Sequence, residues 1–504
     1  MLQTCGQACG RKRTSFFALI CSSFSRAPLS PPSSRRTAGH DAGGLRERAF
    51  AAARSGNAPL ASELFREYLQ KPGAEHDVAA LNACGAMQAQ LGRLELAVDY
   101  FQQALAAGAS GAEEGKEAKE ARANTFFNLG NACAALSLHQ DAREAFEQAL
   151  KLRPTDAQAL TNLGNAHSSL GDLSAALAAY ERAVDADASP IALVNCGNAL
   201  CDQGRNNEGV MMLLEAVDAG AVPDLELCLN IGVAARRAGM TEISMEYLQE
   251  VLSLDASNVL ARRLLRTLDE AASHETGTVE EDAAYARMLF DADVDEYEVA
   301  MRKDLKYQAP NRLLRLVLDA SSDKEPKARA IDLGCGSGLM GDLLRAHCSH
   351  LIGVDIAPAM VSAARTRRLP SEEGREGGLV YDEVKECEVG QALRDEAAGG
   401  VDLVIAADVL CYISDLQPLM AAASHALAPQ GLLAFSCEAL MDAETRPGVD
   451  FCLRDTGRYA HGEEYVRRTA EAVGLELRSV DQGDLRMNNG QWISGLFWLF
   501  GPKT

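Results

Sequence analysis

Two hydrophobic patterns follow each other along the chain. From Leu45 to about Leu268 the chain is rich in alanine and leucine, and small and bulky apolar residues return at a fixed period. From about Ala328 onward, short apolar runs that predict buried strands alternate with helical stretches. The patterns therefore predict an all-helical region followed by an α/β region.

The helical region repeats itself. The sequence Asn-Leu-Gly-Asn-Ala at 128–132 recurs at 162–166, and in looser forms at 195–199 and 230–234. The glycines of successive copies lie 34, 33 and 35 residues apart, which is the period of a helix-turn-helix solenoid. Twelve residues after each glycine comes a small residue, and four further on a bulky one, so that paired helices approach closely and the bulky residues fill the space between repeats.

These positions resemble tetratricopeptide repeats. The residues that carry the resemblance are Leu129, Gly130, Ala142, Phe146, Ala149 and Pro154. Five to six repeats are predicted over 44–268, and the resemblance implies a protein or peptide partner on their concave face. Four asparagines at one equivalent helix position would form a peptide-binding ladder there; they are Asn128, Asn162, Asn195 and Asn230. The alternative is that asparagine is simply common at this position of such repeats.

The α/β region predicts a mostly parallel sheet. Strand signals lie at 328–333, 350–355, 384–389, 401–406, 431–436, 475–480 and 492–500. Helical signals separate the first five, which indicates right-handed parallel crossovers. Asn488-Asn489-Gly490 is a hairpin turn signal between the last two, so the sheet should end in an antiparallel pair. Residues 269–284 form a polar linker, and two helices within 285–317 are expected to cover a bound cofactor.

A glycine-rich stretch from Ala330 to Leu344 predicts a small-molecule site. Gly334, Gly336 and Gly338 follow the first strand and let the backbone approach a ligand closely. About twenty residues further, Asp355 ends the second strand, where a carboxylate can accept hydrogen bonds from ribose hydroxyls. Residues 336–341 alone also fit the pattern of a nicotinamide dinucleotide site.

The wider set of motifs resembles class I S-adenosylmethionine-dependent methyltransferases over residues 285–504. It comprises Asp332, the D-x-G-x-G-x-G spacing and the terminal hairpin. Phe290-Asp291, the Leu-x-Tyr-x-x-Pro motif at 305–310 and Gly457-Arg458-Tyr459-Ala460-His461 resemble the bacterial-type predicted methyltransferases that carry tetratricopeptide repeats. Asp293-Val294 stands where that family has a Tyr-Ala pair, which puts an aromatic cofactor contact in doubt. The resemblance implies a Rossmann-like fold and S-adenosylmethionine as the cofactor.

The resemblance also implies residue roles. Asp332 would orient the cofactor's ammonium group, Asp355 would bind the ribose, and Glu388 would accept a bond from the adenine amino group. The full cofactor-binding set is Asp332, Gly334, Cys335, Gly336, Gly338, Asp355, Ile356, Glu388 and Asp408. The alternatives are a strand-end cap for Asp332 and an exposed loop position for Glu388.

The residues that would serve the methyl acceptor are harder to identify. The motif after the fourth strand is not the Asn/Asp-Pro-Pro-Tyr/Phe of known amino-methylating enzymes. His461 is the best base candidate, with Tyr459 as its neighbour, and Tyr412 is a further catalytic candidate as a pocket residue; a helix-capping histidine is the alternative to the base role of His461. Three functions stay open: methylation of a protein presented by the repeats, a scaffold with a vestigial methyltransferase fold, and methylation of a small metabolite or quinone-like compound.

Composition narrows the class of protein. The 504 residues carry a net charge of −22, which disfavours a nucleic-acid partner, and no run is long and apolar enough for a membrane span. The 14 cysteines show no zinc-site spacing, so no metal site is expected. Residues 1–43 contain arginines, serines and prolines but no acid before Asp41, which predicts a transit peptide and an organellar location, mitochondrion or plastid; a secretory signal and a disordered tail are the alternatives.

Overall fold

The computed structural model describes residues 40–108, 115–269, 272–291, 294–299, 301, 303, 305–320, 327–370, 377–441, 444, 449–488 and 491–503. The chain divides into two compact units between Tyr247 and Leu248. Residues 1–39 of the predicted transit peptide, Asp293 and the predicted turn residues Asn489 and Gly490 lie outside the described residues.

The first unit is built from paired helices. The six pairs are α1 (His40–Arg54) with α2 (Ala58–Leu69), α3 (Val78–Gln90) with α4 (Leu94–Gly108), α5 (Lys116–Ala135) with α6 (His139–Leu152), α7 (Ala157–Ser169) with α8 (Leu173–Ala186), α9 (Pro190–Asp202) with α10 (Asn206–Asp218), and α11 (Leu225–Arg237) with α12 (Thr241–Leu254). Helix α12 begins in the first unit and ends in the second.

Sterics at the repeated glycine explain the tight pairing. A Cβ on Gly130 in α5 would lie 2.6 Å from the ring of Phe146 in α6, and one on Gly164 in α7 would lie 2.4 Å from the ring of Tyr180 in α8. Since real Cβ atoms do not come this close, the bulky residue occupies the space that the glycine leaves. At both positions the bulky residue therefore packs against the glycine of its own helix pair, whereas the sequence predicted that it fills the space between repeats.

The second unit contains the α/β region and the helices before it. Its helices are α13 (Val259–Leu268), α14 (Val279–Phe290), α15 (Val294–Val299), α16 (Ala309–Ala320), α17 (Leu339–Leu344), α18 (Pro358–Thr366), α19 (Val389–Arg394), α20 (Gln417–Ala426) and α21 (Glu463–Ala472). Its strands are β1 (Lys327–Leu333), β2 (Cys348–Asp355), β3 (Glu383–Glu386), β4 (Val401–Ala406), β5 (Leu427–Ala439), β6 (Phe451–Leu453), β7 (Tyr459–His461), β8 (Leu475–Asn488) and β9 (Gln491–Pro502). Helix α13, which falls in the predicted repeat region, lies in this unit.

The sheet is mostly parallel and Rossmann-like, as predicted. Strands β3, β2, β1, β4 and β5 lie side by side in parallel, and β9 adds antiparallel to β5 with β8 antiparallel beyond it. The terminal antiparallel pair is therefore confirmed. The sequence did not predict β6 and β7, which form a small extension at the end of β5. Each has only three residues, too few to show an alternating pattern.

Helices bury both faces of the sheet. Ile331 and Val404 belong to one apolar cluster, whereas their chain neighbours Ala330 and Leu403 belong to another. Burial on both faces explains why these strands read as continuous apolar runs. The carboxyl ends of the parallel strands are then the place where polar side chains can meet a ligand. Among the helices of the described residues, none has the length and apolarity for a membrane crossing.

Candidate functional site

The loop after β1 follows a path that only glycine takes easily. Gly334, Gly336 and Gly338 have φ angles of 61°, 54° and 105°. A Cβ on Gly334 would also lie 2.4 Å from the Cγ2 atom of Val409, in the loop after β4. The glycine loop therefore runs directly against the end of the neighbouring strand.

Asp332 lies at the end of β1 with one oxygen unused. The side chain is 1% exposed, and its Oδ2 accepts a hydrogen bond of 2.7 Å from the hydroxyl of Tyr381. Its Oδ1 has no hydrogen-bond partner among the described residues. Burial raises the pKa of the Asp332 carboxyl to about 7, with a further contribution from Asp355. A cationic donor that reached Oδ1 would satisfy the oxygen and stabilise the charged form.

Asp355, at the end of β2, holds the glycine loop in place. Its Oδ2 accepts from the backbone N–H of Gly336 at 2.8 Å, and its Oδ1 accepts from that of Ala357 at 2.9 Å. Burial raises its pKa, although these backbone bonds act in the opposite direction. The predicted neighbours differ in exposure, since Cys335 is buried and Ile356 is half-buried. We call Asp332, residues 334–338 and Asp355 the glycine wall.

Tyr297 is a site residue that the sequence did not identify. It lies in the short helix α15, and its hydroxyl would be 3.6 Å from a Cβ on Gly336. Its ring packs edge to face on Phe290, with centroids 6.0 Å apart. Burial raises the pKa of the Tyr297 phenol, and nearby Tyr412, Asp355 and Asp408 raise it further. An aromatic ring thus lies over the loop. It comes from a residue four positions after Asp293, the residue that stands at the start of the family's Tyr-Ala pair.

Arg367 links this helix to the glycine loop. Its guanidinium donates to Glu298 of α15 at 2.6 Å, to both oxygens of Asp342 at 2.8 and 2.6 Å, and to the carbonyl of Ser337 at 3.0 Å. Four contacts from one planar cation hold α15 and α17 together. The ion pair between Arg367 and Glu298 therefore links the helix that carries Tyr297 to the glycine loop.

Glu388 caps a helix in the structure. It is the N-cap of α19, and its two oxygens accept from the backbone N–H groups of Gly390 at 2.6 Å and Gln391 at 2.7 Å. Arg394 donates to the same carboxylate at 3.3 Å. These contacts give Glu388 a capping role, which competes with the predicted bond to adenine.

Asp408 lies at the end of β4, but its charge is already paired. Both of its oxygens accept from Arg486, the longer contact being 2.6 Å, and Arg486 also donates to Glu438. Arg454 then binds the other oxygen of Glu438 at 2.7 Å. Asp408 is a non-glycine residue with a φ of 60°, held in this strained conformation by the ion pair. The predicted direct contact of its carboxylate with a cofactor is therefore disfavoured.

Tyr412 and Arg458 pair with each other next to Phe290. The Nε of Arg458 donates to the hydroxyl of Tyr412 at 2.9 Å, and both side chains are buried. The ring of Tyr412 packs edge to face on Phe290 at 5.3 Å. We call Asp408, Tyr412, Arg458 and Arg486 the arginine wall.

His461 and Tyr459 lie in the interior instead of lining the site. The Nε2 of His461 is 3.0 Å from the carbonyl of Ile413, and its ring stacks on Tyr465. Burial lowers the pKa of His461 to about 4. Tyr459 is fully buried against Phe451. Neither side chain is exposed to an acceptor, so the predicted base role of His461 is not supported, and nor is its alternative as a helix cap.

Two of the four asparagines in the predicted ladder pair with other asparagines of the first unit. The amide of Asn162 donates to Asn131 at 2.8 Å, and that of Asn230 donates to Asn198 at 3.4 Å. Asn128 is buried and Asn195 is half-buried. The amides of Asn162 and Asn230 therefore join one repeat to the preceding one, which is a structural role.

Comparison with known proteins agrees with this architecture. A family described as "Methyltransferase domain" matches residues 304–480, and families described as "Tetratricopeptide repeat" match residues 127–190 and 225–258. A ubiquinone biosynthesis O-methyltransferase from Xylella fastidiosa (strain 9a5c) is 29% identical over 118 residues, 23% of this chain and 45% of that protein. Nodulation protein S from Rhizobium tropici is 31% identical over 113 residues, 22% of this chain and 43% of that protein. The chain spans less than half the length of these relatives.

Two solved structures each align with part of this chain. The crystal structure of the N-methyltransferase NodS from Bradyrhizobium japonicum WM9 with S-adenosyl-L-homocysteine has a TM-score of 0.32 at 20% identity, covering 44% of this chain and 100% of that one. YrrB, a tetratricopeptide protein with an unusual peptide-binding site, has a TM-score of 0.34 at 19% identity, covering 40% of this chain and 97% of that one. The chain thus carries a region that matches a methyltransferase domain, and tetratricopeptide repeats precede it in the sequence.

Proposed function

We propose that the second unit binds S-adenosylmethionine and catalyses transfer of its methyl group. The observation that carries the proposal is the buried, unpartnered Oδ1 of Asp332 at the start of the glycine loop. When bound, the cofactor supplies an electrophilic methyl group on a sulfonium. Its ammonium group can donate the hydrogen bond that Oδ1 of Asp332 lacks. The positive charge of the cofactor also favours the ionised forms of Asp332 and Asp355.

The residues of the glycine wall would bind and orient the cofactor. Asp332 would accept from the ammonium, and the glycines would admit the amino-acid part. Asp355 keeps lone pairs beyond its two backbone bonds, so it can also accept from ribose hydroxyls. Tyr297 and Phe290 would cover the site and exclude water. Holding the methyl carbon in line with the acceptor is the main contribution that a protein makes to such a displacement.

The arginine wall would position the acceptor without removing a proton from it. Asp408 is neutralised by Arg486, and Tyr412 is hydrogen-bonded to Arg458. His461 lies in the interior. An acceptor that arrives as a neutral amine, or as an anion stabilised by Arg458, would need no base.

We propose a protein or peptide as the acceptor, presented by the repeats. Support comes from the repeat family, whose members generally bind proteins. A small phenolic or quinone-like acceptor is the second candidate, because ubiquinone biosynthesis O-methyltransferases are among the relatives that the chain partly matches. Labelling with tritiated S-adenosylmethionine in an extract separates the two, since label would precipitate with protein in the first case and enter the organic phase in the second.

Calorimetry on the full chain tests the cofactor. We expect S-adenosylmethionine and S-adenosylhomocysteine to bind and to raise the thermal midpoint, while NADH does neither. Stabilisation by NADH alone would contradict the proposal. Binding of none of the three would favour the scaffold function over methyl transfer.

A further inference from the structure

A buried arginine from helix α13 reaches the loops of the arginine wall. Arg263 is 3% exposed, and its Nη1 pairs with Oδ1 of Asp282 at 2.7 Å. Its Nε and Nη2 donate to the carbonyl of Gly457 at 3.1 and 2.9 Å. The guanidinium also lies 4.3 Å from the ring centroid of Tyr285 and 4.5 Å from that of Tyr459. A buried cation with this set of partners is fully committed to one geometry.

The other oxygen of Asp282 binds the loop after β4. Its Oδ2 accepts from both the backbone N–H and the hydroxyl of Ser414, each at 2.9 Å. The hydroxyl of Ser414 in turn accepts from the backbone N–H of Gly277 at 3.0 Å. One ion pair therefore joins two loops that are distant in sequence, one ending near Ser414 and the other containing Gly457.

These two loops carry the hydrogen-bonded pair of the arginine wall. Tyr412 precedes Ser414 by two residues, and Arg458 directly follows Gly457. Gly457 has a φ of 72°, and a Cβ there would lie 2.3 Å from the hydroxyl of Tyr285, so the turn accepts only glycine. The backbone on both sides of the bond between Arg458 and Tyr412 is thus held by Arg263 and Asp282.

We propose that Arg263 is a positioning residue for the methyl-acceptor side of the site. It acts through Gly457 and, by way of Asp282, through Ser414, so that Arg458 and Tyr412 stay hydrogen-bonded to each other. The proposal rests on the proposed methyl transfer, because only then does this wall face an acceptor. It also means that a helix from the predicted repeat region forms part of the catalytic unit.

Fluorine NMR on the full chain tests the proposal, with 3-fluorotyrosine placed only at position 412. Its resonance reports the bond to Arg458, and hydrogen exchange over residues 410–416 reports the amide of Ser414. The variants are Arg263→Met, Arg263→Lys and Asp282→Asn. Arg345→Met is the matched control, because Arg345 also joins a carboxylate, that of Asp382, to backbone carbonyls, but away from this wall.

We expect Arg263→Met to shift or broaden the resonance and to speed exchange of residues 410–416 at least tenfold. Asp282→Asn should act in the same way. Arg263→Lys keeps the charge but loses the fork on Gly457, so it should shift the resonance with a smaller change in exchange. The affinity for S-adenosylhomocysteine should stay within about twofold, because the glycine wall is untouched.

An unchanged resonance in a folded Arg263→Met protein would overturn the proposal, and so would an equal shift in Arg345→Met. If Arg263→Met does not fold, the resonance in Arg263→Lys decides in the same way. A wild-type protein that fails to bind S-adenosylhomocysteine would count against methyl transfer instead, whatever the resonance shows.

Discussion

The acidic side chains of the two walls differ in whether they form ion pairs. On the glycine wall, neither Asp332 nor Asp355 forms an ion pair with an arginine or lysine among the described residues. On the arginine wall, Asp408 is paired with Arg486, which also binds the nearby Glu438. A buried acid without a counter-charge is costly unless a ligand supplies one, whereas a paired acid is complete within the protein. The glycine wall is therefore suited to a cationic ligand, and the arginine wall to a preformed surface.

Removing the shared cation of the arginine wall should have the largest effect. Arg486→Met leaves Asp408 without its partner and Glu438 with only Arg454, so we expect the free energy of unfolding to fall by about 3–5 kcal/mol. Urea denaturation measures this change. Arg478→Met, which removes an exposed pair with Glu476, should cost no more than about 1 kcal/mol. Equal losses in the two variants would remove the contrast between the walls.

Removing an acid from the glycine wall should have the opposite effect on stability. The folded pKa of Asp332 is raised to about 7, so ionisation destabilises the free protein progressively as the pH rises from the ordinary range of an acid to about 7. Asp332→Asn should therefore be at least as stable as the wild type at pH 8. It should nevertheless bind S-adenosylhomocysteine about 1.5–3 kcal/mol more weakly, having lost a bond to a charged group.

The same carboxyl predicts the pH dependence of binding. Below pH 7 the free protein holds a proton on Asp332, which the ligand's ammonium must displace, so wild-type affinity should fall as the pH drops. Asp332→Asn should flatten that part of the profile, leaving only the contribution of Asp355. Calorimetry between pH 6 and pH 8.5 measures both. A wild-type affinity independent of pH would contradict the assigned ammonium contact.

A smaller effect should separate the capping role of Glu388 from the predicted adenine contact. Glu388→Ala removes the cap of α19 and should cost about 1 kcal/mol of stability. Its affinity for S-adenosylhomocysteine should match that of the wild type, because both oxygens face the helix. A tenfold loss of affinity would instead support the predicted hydrogen bond between Glu388 and adenine.

The smallest expected effect concerns the ion pair between Arg367 and Glu298, which links α15 to the glycine wall. Glu298→Gln weakens the ion pair with Arg367, which is partly exposed, so the dissociation rate of S-adenosylhomocysteine should rise about threefold, or roughly 0.6 kcal/mol. Surface plasmon resonance measures the rate. Glu476→Gln, in a pair on β8, serves as the control and should leave it unchanged.

Local patterns predicted much of this fold. The repeat period, the glycine loop and the terminal hairpin each depend on residues that are close in the chain, and the all-helical and Rossmann-like regions are confirmed. Strands β6 and β7 escaped prediction because three residues show no periodicity. The assignment of α13 escaped for a different reason, since its pattern resembles a repeat helix while the contacts of Arg263 are with Gly457, 194 residues away.

The roles of the side chains at the site show the same difference between nearby and distant contacts. Asp332 and the glycines lie together, because the D-x-G-x-G-x-G motif connects them through its own backbone. Glu388, Asp408 and His461 were assigned from position alone, and each proved to have a protein partner. Tyr297 was overlooked because its contact with the loop depends on how α15 packs and not on a motif.

The amino-acid sequence alone was sufficient for the helical period, the parallel strands before the terminal hairpin and the glycine loop, because hydrophobic period and backbone sterics act over short distances. Only the tertiary structure showed which acids keep an oxygen for a ligand. The arginine that neutralises Asp408 and Glu438 comes from 78 and 48 residues further along the chain. Whether a buried carboxylate binds a ligand or a protein cation depends on that distant pairing, and no local pattern contains it.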